Sequence, residues 1–229
     1  MSIDASSKAP ERRPARPAHP ARSGRRPGRW VPVALIVLAL VPVAAGAVRV
    51  SDIAGDAPVT PENARFMTAP VPVVAHIVAA TVYALLGALQ FSSRTRRRHV
   101  TRHRRIGTVL VPTGLVVALT GGWMTLAHDM PAIDAGLPLT VSRLVVSVAM
   151  GAAIVLAVRA LRRHDYRTHG AWMTRAYALA MGAGTQVLTS LPIVLADSDP
   201  TELMRVVTMD LGWAINIAVA ELVIRRRRR

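Results

Sequence analysis

The sequence predicts an all-α integral membrane protein: a bundle of six transmembrane helices with both termini in the cytoplasm. Three observations predict it. The chain is 52% hydrophobic yet carries a net charge of +16, an odd mixture for a soluble nucleic-acid binder, although the pI of about 11.8 would suit one. Its apolar residues and its arginines occupy separate blocks, as they do in membrane proteins. The apolar blocks are each near the ~20 residues that a helix needs to cross ~30 Å of hydrocarbon. Backbone polar groups in lipid must be satisfied within the segment, so the blocks should be helical.

The elements follow in order. Residues 1–29 carry eight Lys/Arg and repeated prolines with almost no apolar side chains. Such a segment buries too little surface to offset its ordering entropy and reads as a disordered basic tail. Residues 30–50 are mostly apolar. Their AAGA ending resembles a signal-peptidase site, but the run exceeds a usual signal core of ~7–15 residues, so an uncleaved first span is expected. Further spans are expected over 69–91, 106–127, 139–158, 171–196 and 203–224, and 225–229 is a basic C-terminus. Together 30–224 form the membrane domain. Pro42, Pro112 and Pro192 fall inside or near the ends of spans, where neighbouring helices tolerate kinks.

Charge sets the orientation. The tail, the loop 92–105, the segment 159–169 and the C-terminal RRRRR hold 24 of the 29 basic residues, all on one side of a six-span arrangement. The opposite loops hold Asp52, Asp56, Glu62, Asp129, Asp134, Asp197, Asp199 and Glu202, with Arg49 and Arg65. The positive-inside rule then places the arginine-rich side in the cytoplasm. The stretch RTRRRHVTRHRRIG therefore marks an inner membrane surface and contacts anionic headgroups; no nucleic-acid partner is expected. Abundant Ala, Val and Arg beside a single lysine suggest a high-GC bacterial genome, hence a bacterial inner membrane.

Several chemistries are excluded. Without cysteine there is no disulfide, thiolate metal site, cysteine nucleophile or c-type haem attachment. The sequence has no HExxH, phosphate loop, nucleophile elbow or dinucleotide fingerprint. No catalytic residue or metal site is assigned.

Polar residues inside spans carry what remains. His76, Tyr83, Gly87 and Gln90 share one face of the second span, and an intramembrane histidine is a functional hypothesis by default. Hydrogen bonding to a neighbouring helix would explain it equally well. Gly107, Gly114 and Gly121 recur every seven residues, a small-residue stripe for close helix packing. Arg143 should snorkel outward or pair with Asp129, Asp134 or a carboxylate of the last outer loop. Trp172 and Tyr177 suit interfacial anchoring. Arg175, one turn deeper, needs a partner, and Glu221 at the same level supplies it, with His103 and His169 at the rim. Asp210 and Glu221 share a face of the last span at opposite depths, with Asn216 beside them.

These residues resemble a known family. HIVAATVYALLGALQF, with His76, Gly87, Gln90 and Phe91, precedes HRRIG, with His103, Arg104 and Gly107. HDYRTHGAWMTRAYAL then carries His169, Trp172, Met173, Arg175 and Tyr177. The set is similar to the bacterial predicted membrane proteins known as domain of unknown function 2306, over roughly residues 71–195. Asn216 and Glu221 are compatible with it. Members often carry an arginine after the last motif; this chain has Thr185 and Gln186 there, so no role passes to that position. The resemblance implies the fold and supports the choice of residues, but it implies no activity.

Three functions are consistent with these residues. The first is binding of a lipid, quinone or partner at a cytoplasmic polar cluster of Gln90, His103, Arg104, His169, Trp172, Arg175, Asn216 and Glu221, with His76 and Tyr83 along the second span. The second is electron transfer through b-type haem, with His103 and His169 as the one histidine pair of matched depth. The third is a proton-coupled transporter relaying through His76, Asp210 and Glu221. Against the relay, the sequence has no convincing internal repeat and few broken helices.

Overall fold

A computed structural model describes residues 30–55, 57–61, 63–92 and 99–228. The expected basic tail, the arginines of 93–98, Asp56, Glu62 and Arg229 lie outside the described residues.

All regular structure among the described residues is helical. The elements are α1 (Trp30–Ala54), the short α2 (Ala64–Thr68), α3 (Pro70–Gln90), α4 (Val100–Ala127), a 3-10 turn (Ala132–Asp134), α5 (Leu137–Arg162), α6 (Tyr166–Ala180), α7 (Gly182–Leu195) and α8 (Glu202–Arg228). Five of them (α1, α3, α4, α5 and α8) are long and apolar enough to cross a membrane; α6 and α7 together make a sixth candidate span, bent by 44°. Here the structure departs from the one continuous span expected over 171–196; a single bent pair among the described residues agrees with the expectation of few broken helices. The helix starts earlier, at Tyr166, where Asp165 Oδ1 accepts from the Thr168 N–H at 2.9 Å as an N-cap. It breaks at Met181.

The outer faces of the long helices are lined by exposed Val37, Leu40, Val41, Val78, Leu119, Val145, Val148, Val207, Val219 and Leu222. Such a belt would be a liability in water and is the ordinary surface of a membrane-spanning bundle. The interior is built from small residues (Ala88, Ala153, Ala157 and Ala176) around Tyr83 and Ile154, each at most 2% exposed. Of the glycine stripe in α4, Gly114 is the tight point: a Cβ there would press on both the Tyr83 ring and Ile154. Gly121 faces His76 and Ser147 at ordinary contact, and Gly107 has nothing close.

Helix α6 is the hub. It packs against α3, α4, α5 and α8, whereas α7 packs mainly on α1 and α8. The 44° bend thus carries one span from the middle of the bundle to its periphery. Residues at the break explain why. The Ala178 carbonyl, which a continuous helix would pair with residue 182, accepts from Asn216 Nδ2 at 3.1 Å. Thr185 Oγ1 donates to Asn216 Oδ1 at 2.7 Å. Gly182 leaves room for the Trp213 indole of α8, where any Cβ would collide. Gln186 Nε2 and Thr189 Oγ1 donate to the Met209 and Thr208 carbonyls at 3.1 and 2.7 Å, tying α7 to α8.

Candidate functional site

Two polar regions result, one at each end of the bundle. At the arginine-rich end, Arg175 of α6 meets Glu221 of α8 through two parallel bonds, Nε to Oε1 at 2.6 Å and Nη2 to Oε2 at 3.1 Å. The planar guanidinium matches both carboxylate oxygens, the strongest geometry such a pair can take. Trp172, one turn back, lies under the Arg175 guanidinium, 4.6 Å from Cζ to the ring centroid. Trp172, Arg175 and Glu221 are therefore one contact group, and its charges cancel internally.

The other candidates at this end have separate partners. His169 Nδ1 lies 3.0 Å from the Ala157 carbonyl; a carbonyl only accepts, so Nδ1 carries the proton and Nε2 is the ring's acceptor. Gln90 Nε2 donates to the His103 carbonyl at 3.3 Å, joining the end of α3 to the start of α4. Arg104 is exposed in the first turn of α4. Tyr83 stacks in a chain with Tyr177 and Phe91 (centroids 5.9 and 4.9 Å apart), and Tyr177 Oη donates to the Ala84 carbonyl at 2.8 Å. Asn216 is occupied at the α6–α7 break. The transporter trio is likewise dispersed: His76 Nδ1 is 2.9 Å from Thr120 Oγ1, Asp210 accepts from Ser142 Oγ at 3.0 Å, and Glu221 holds Arg175.

At the opposite end a cavity of about 350 Å³ opens within the bundle. It begins where α6 ends, at Leu179, Ala180 and Ala183, and its walls come from α3, α4, α5 and α8. It lies beside the α6–α7 break. Val117, Met124, Met150 and Met209 make its walls mostly apolar, with His76, Ser147 and Gln186 as polar points. Thr120 spends its one hydroxyl hydrogen on the Val116 carbonyl at 2.6 Å. With that hydrogen so placed, Thr120 Oγ1 accepts from His76 Nδ1 in the tautomer that makes Nε2 of this cavity-lining histidine an acceptor.

The mouth of the cavity is charged. Asp134, 9% exposed, accepts from Arg205 Nε and Nη2 at 3.0 and 3.2 Å. Arg143 Nη1 donates to the Asp134 carbonyl at 2.9 Å, with Nη2 3.7 Å from its carboxylate. Of the carboxylates expected for Arg143, Asp134 is the one it meets. Arg65 and Arg49 both lie over the Phe66 ring, at 4.6 and 4.3 Å. His128 sets its edge against Phe66 and Trp123. Burial lowers the pKa of His128 below the usual histidine range, the Arg65 charge lowers it further, and Asp129 acts in the opposite sense. The imidazole is accordingly neutral at neutral pH.

Sequence reasoning missed this mouth, although it offered Asp134 among the acids for Arg143. One signal was available. Arg143 and Arg205 stand within two turns and one turn, respectively, of the start of helices that begin at the carboxylate-rich side, and two such cations need a shared acid.

The sequence profile of one family, described as predicted membrane protein (DUF2306), matches residues 73–224, from the first turn of α3 into the last turns of α8. The chain belongs to that family. The DUF2306 region includes every candidate from His76 to Glu221 and most of the cavity wall; Arg65 and Phe66 precede it. Among curated proteins and solved structures, nothing matches the chain.

Proposed function

We propose that this DUF2306 member binds an amphiphile with an apolar body, a lipid or a quinone, inside the bundle. The cavity at the α6–α7 break carries the reading. Its volume lies within the roughly 300–1,000 Å³ typical of small-molecule sites, and a mostly apolar lining with a few placed polar groups is the usual make-up of such sites. His76 Nε2 would accept from a hydroxyl on the bound molecule. In this reading the Arg175–Glu221 pair is a lock between helices, because its two parallel bonds join α6 to α8. The arginine-rich end faces the cytoplasm and lies against anionic headgroups of a bacterial inner membrane.

Native mass spectrometry of the full chain in mild detergent tests this, with ubiquinone-2 and dioleoyl phosphatidic acid as probes. At least one should form a stoichiometric adduct that weakens tenfold or more in Ala183→Phe or Thr125→Phe, both of which fill the cavity. Adducts indifferent to both substitutions would sink the proposal.

A second reading, b-type haem held by His103 and His169, draws on one contact. Histidines that ligate a metal commonly anchor their other ring nitrogen on a backbone carbonyl, as His169 does on Ala157. A Soret band that disappears in His103→Ala or His169→Ala would establish it. A colourless preparation with haem supplied would end it.

A further inference from the structure

We infer that the mouth of the cavity is an oxyanion site, formed by Arg65 and His128, that takes the phosphate of an amphiphile whose tail occupies the cavity. The inference deepens the binding reading above and rests on it.

Charge comes first. Three guanidinium groups, Arg65, Arg143 and Arg205, gather around one buried carboxylate, Asp134. Arg205 and Arg143 take up that carboxylate and the carbonyl beside it. Among the described residues no carboxylate lies within ion-pair distance of Arg65, and Asp52 is engaged by Arg49 at 3.4 Å. Asp129 is exposed and acts electrostatically on His128, and the Glu202 carboxylate lies against Gly136, two residues from Asp134. Arg65 thus brings to the mouth a guanidinium outside any ion pair among the described residues.

Unmet hydrogen bonding comes second. Arg65 Nε is buried without a partner, and Arg65 Nη1 reaches only the weak acceptor Met130 Sδ at 3.9 Å. His128 Nε2 is also buried without a partner. Both residues line the cavity. Buried polar atoms are normally satisfied, and each unmet one is costly, so two on one cavity wall point to a group that completes them. A guanidinium edge is made for an oxyanion. Imidazole adds a donor to the same oxygen cluster once its tautomer places hydrogen on Nε2.

Position comes third. Arg65 sits just before α3 begins and His128 just after α4 ends. Both are at the end of the membrane-crossing segments, the level at which lipid phosphates lie, and the apolar cavity runs inward from there.

The full chain, purified in dodecyl maltoside, would be titrated by native mass spectrometry with dioleoyl phosphatidic acid and with dioleoylglycerol, which has the same tails and no phosphate. Phosphatidic acid should bind at least tenfold tighter, and Arg65→Gln should shrink the difference to about twofold, with Arg65→Lys in between. Millimolar inorganic phosphate that displaces phosphatidic acid would support the oxyanion site and identify free phosphate as a second source. Failure to displace leaves the lipid as the source. Equal binding of both lipids, still blocked by Ala183→Phe, would overturn the oxyanion site and leave the cavity reading standing. A phosphatidic acid preference that survives Arg65→Gln would overturn the site as well. Binding of either lipid that Ala183→Phe does not touch would instead overturn the cavity reading.

Discussion

Arg175 and Glu221 lie 46 residues apart in the chain and meet fork to fork, with Nε and Oε1 at 2.6 Å, between α6 and α8. Side-chain exposures of 24% and 31% put the pair in a partly desolvated setting. Neither charge could be left alone there at low cost, because an unpaired ion inside a membrane bundle has no cheap place to go.

Removing one partner should therefore hurt more than removing both. Glu221→Gln or Arg175→Gln is expected to destabilise the bundle by about 1–3 kcal/mol, below the ~3–5 for a fully buried pair because water reaches part of this one. The double change Arg175→Met with Glu221→Leu should recover most of that loss. Unfolding of detergent-solubilised protein would decide, and a double variant as unstable as the sum of the singles would count against a closed pair.

Two side chains of α8 meet the bend at Met181, Trp213 against Gly182 and Asn216 by hydrogen bonds. Asn216→Ala should release the Ala178 carbonyl and the Thr185 hydroxyl together, at a cost of about 1–3 kcal/mol. Hydrogen exchange should rise over residues 178–186 more than elsewhere. Uniform exchange across the bundle would mean that Asn216 does not hold the break.

Orientation can be read directly because the chain has no cysteine. A membrane-impermeant maleimide should label Ser198→Cys, in the turn between α7 and α8, from outside intact cells. Ser92→Cys, just after α3, should react only after permeabilisation. The reverse pattern would invert the protein and move the oxyanion site to the cytoplasmic face.

Apolar block length determined the membrane class, the all-helical fold and five to six candidate crossings, because each depends on local composition alone. The Arg175–Glu221 pair was legible for a related reason: two lone charges at one depth of a low-dielectric bundle have little choice of partner. The small-residue stripe of α4 was legible in kind, but only the packing decided that Gly114, and not Gly107, is its tight point. Tertiary structure alone decided the break in the fifth span. Residues 171–196 are apolar enough to continue as one helix, and what diverts them is Asn216 and Trp213, supplied by a helix some 30 residues further along. The cavity lies beside that break. It and its charged mouth are built from side chains on α2, α3, α4, α5, α6, α7 and α8, whose convergence no local pattern records, because it depends on how distant helices pack.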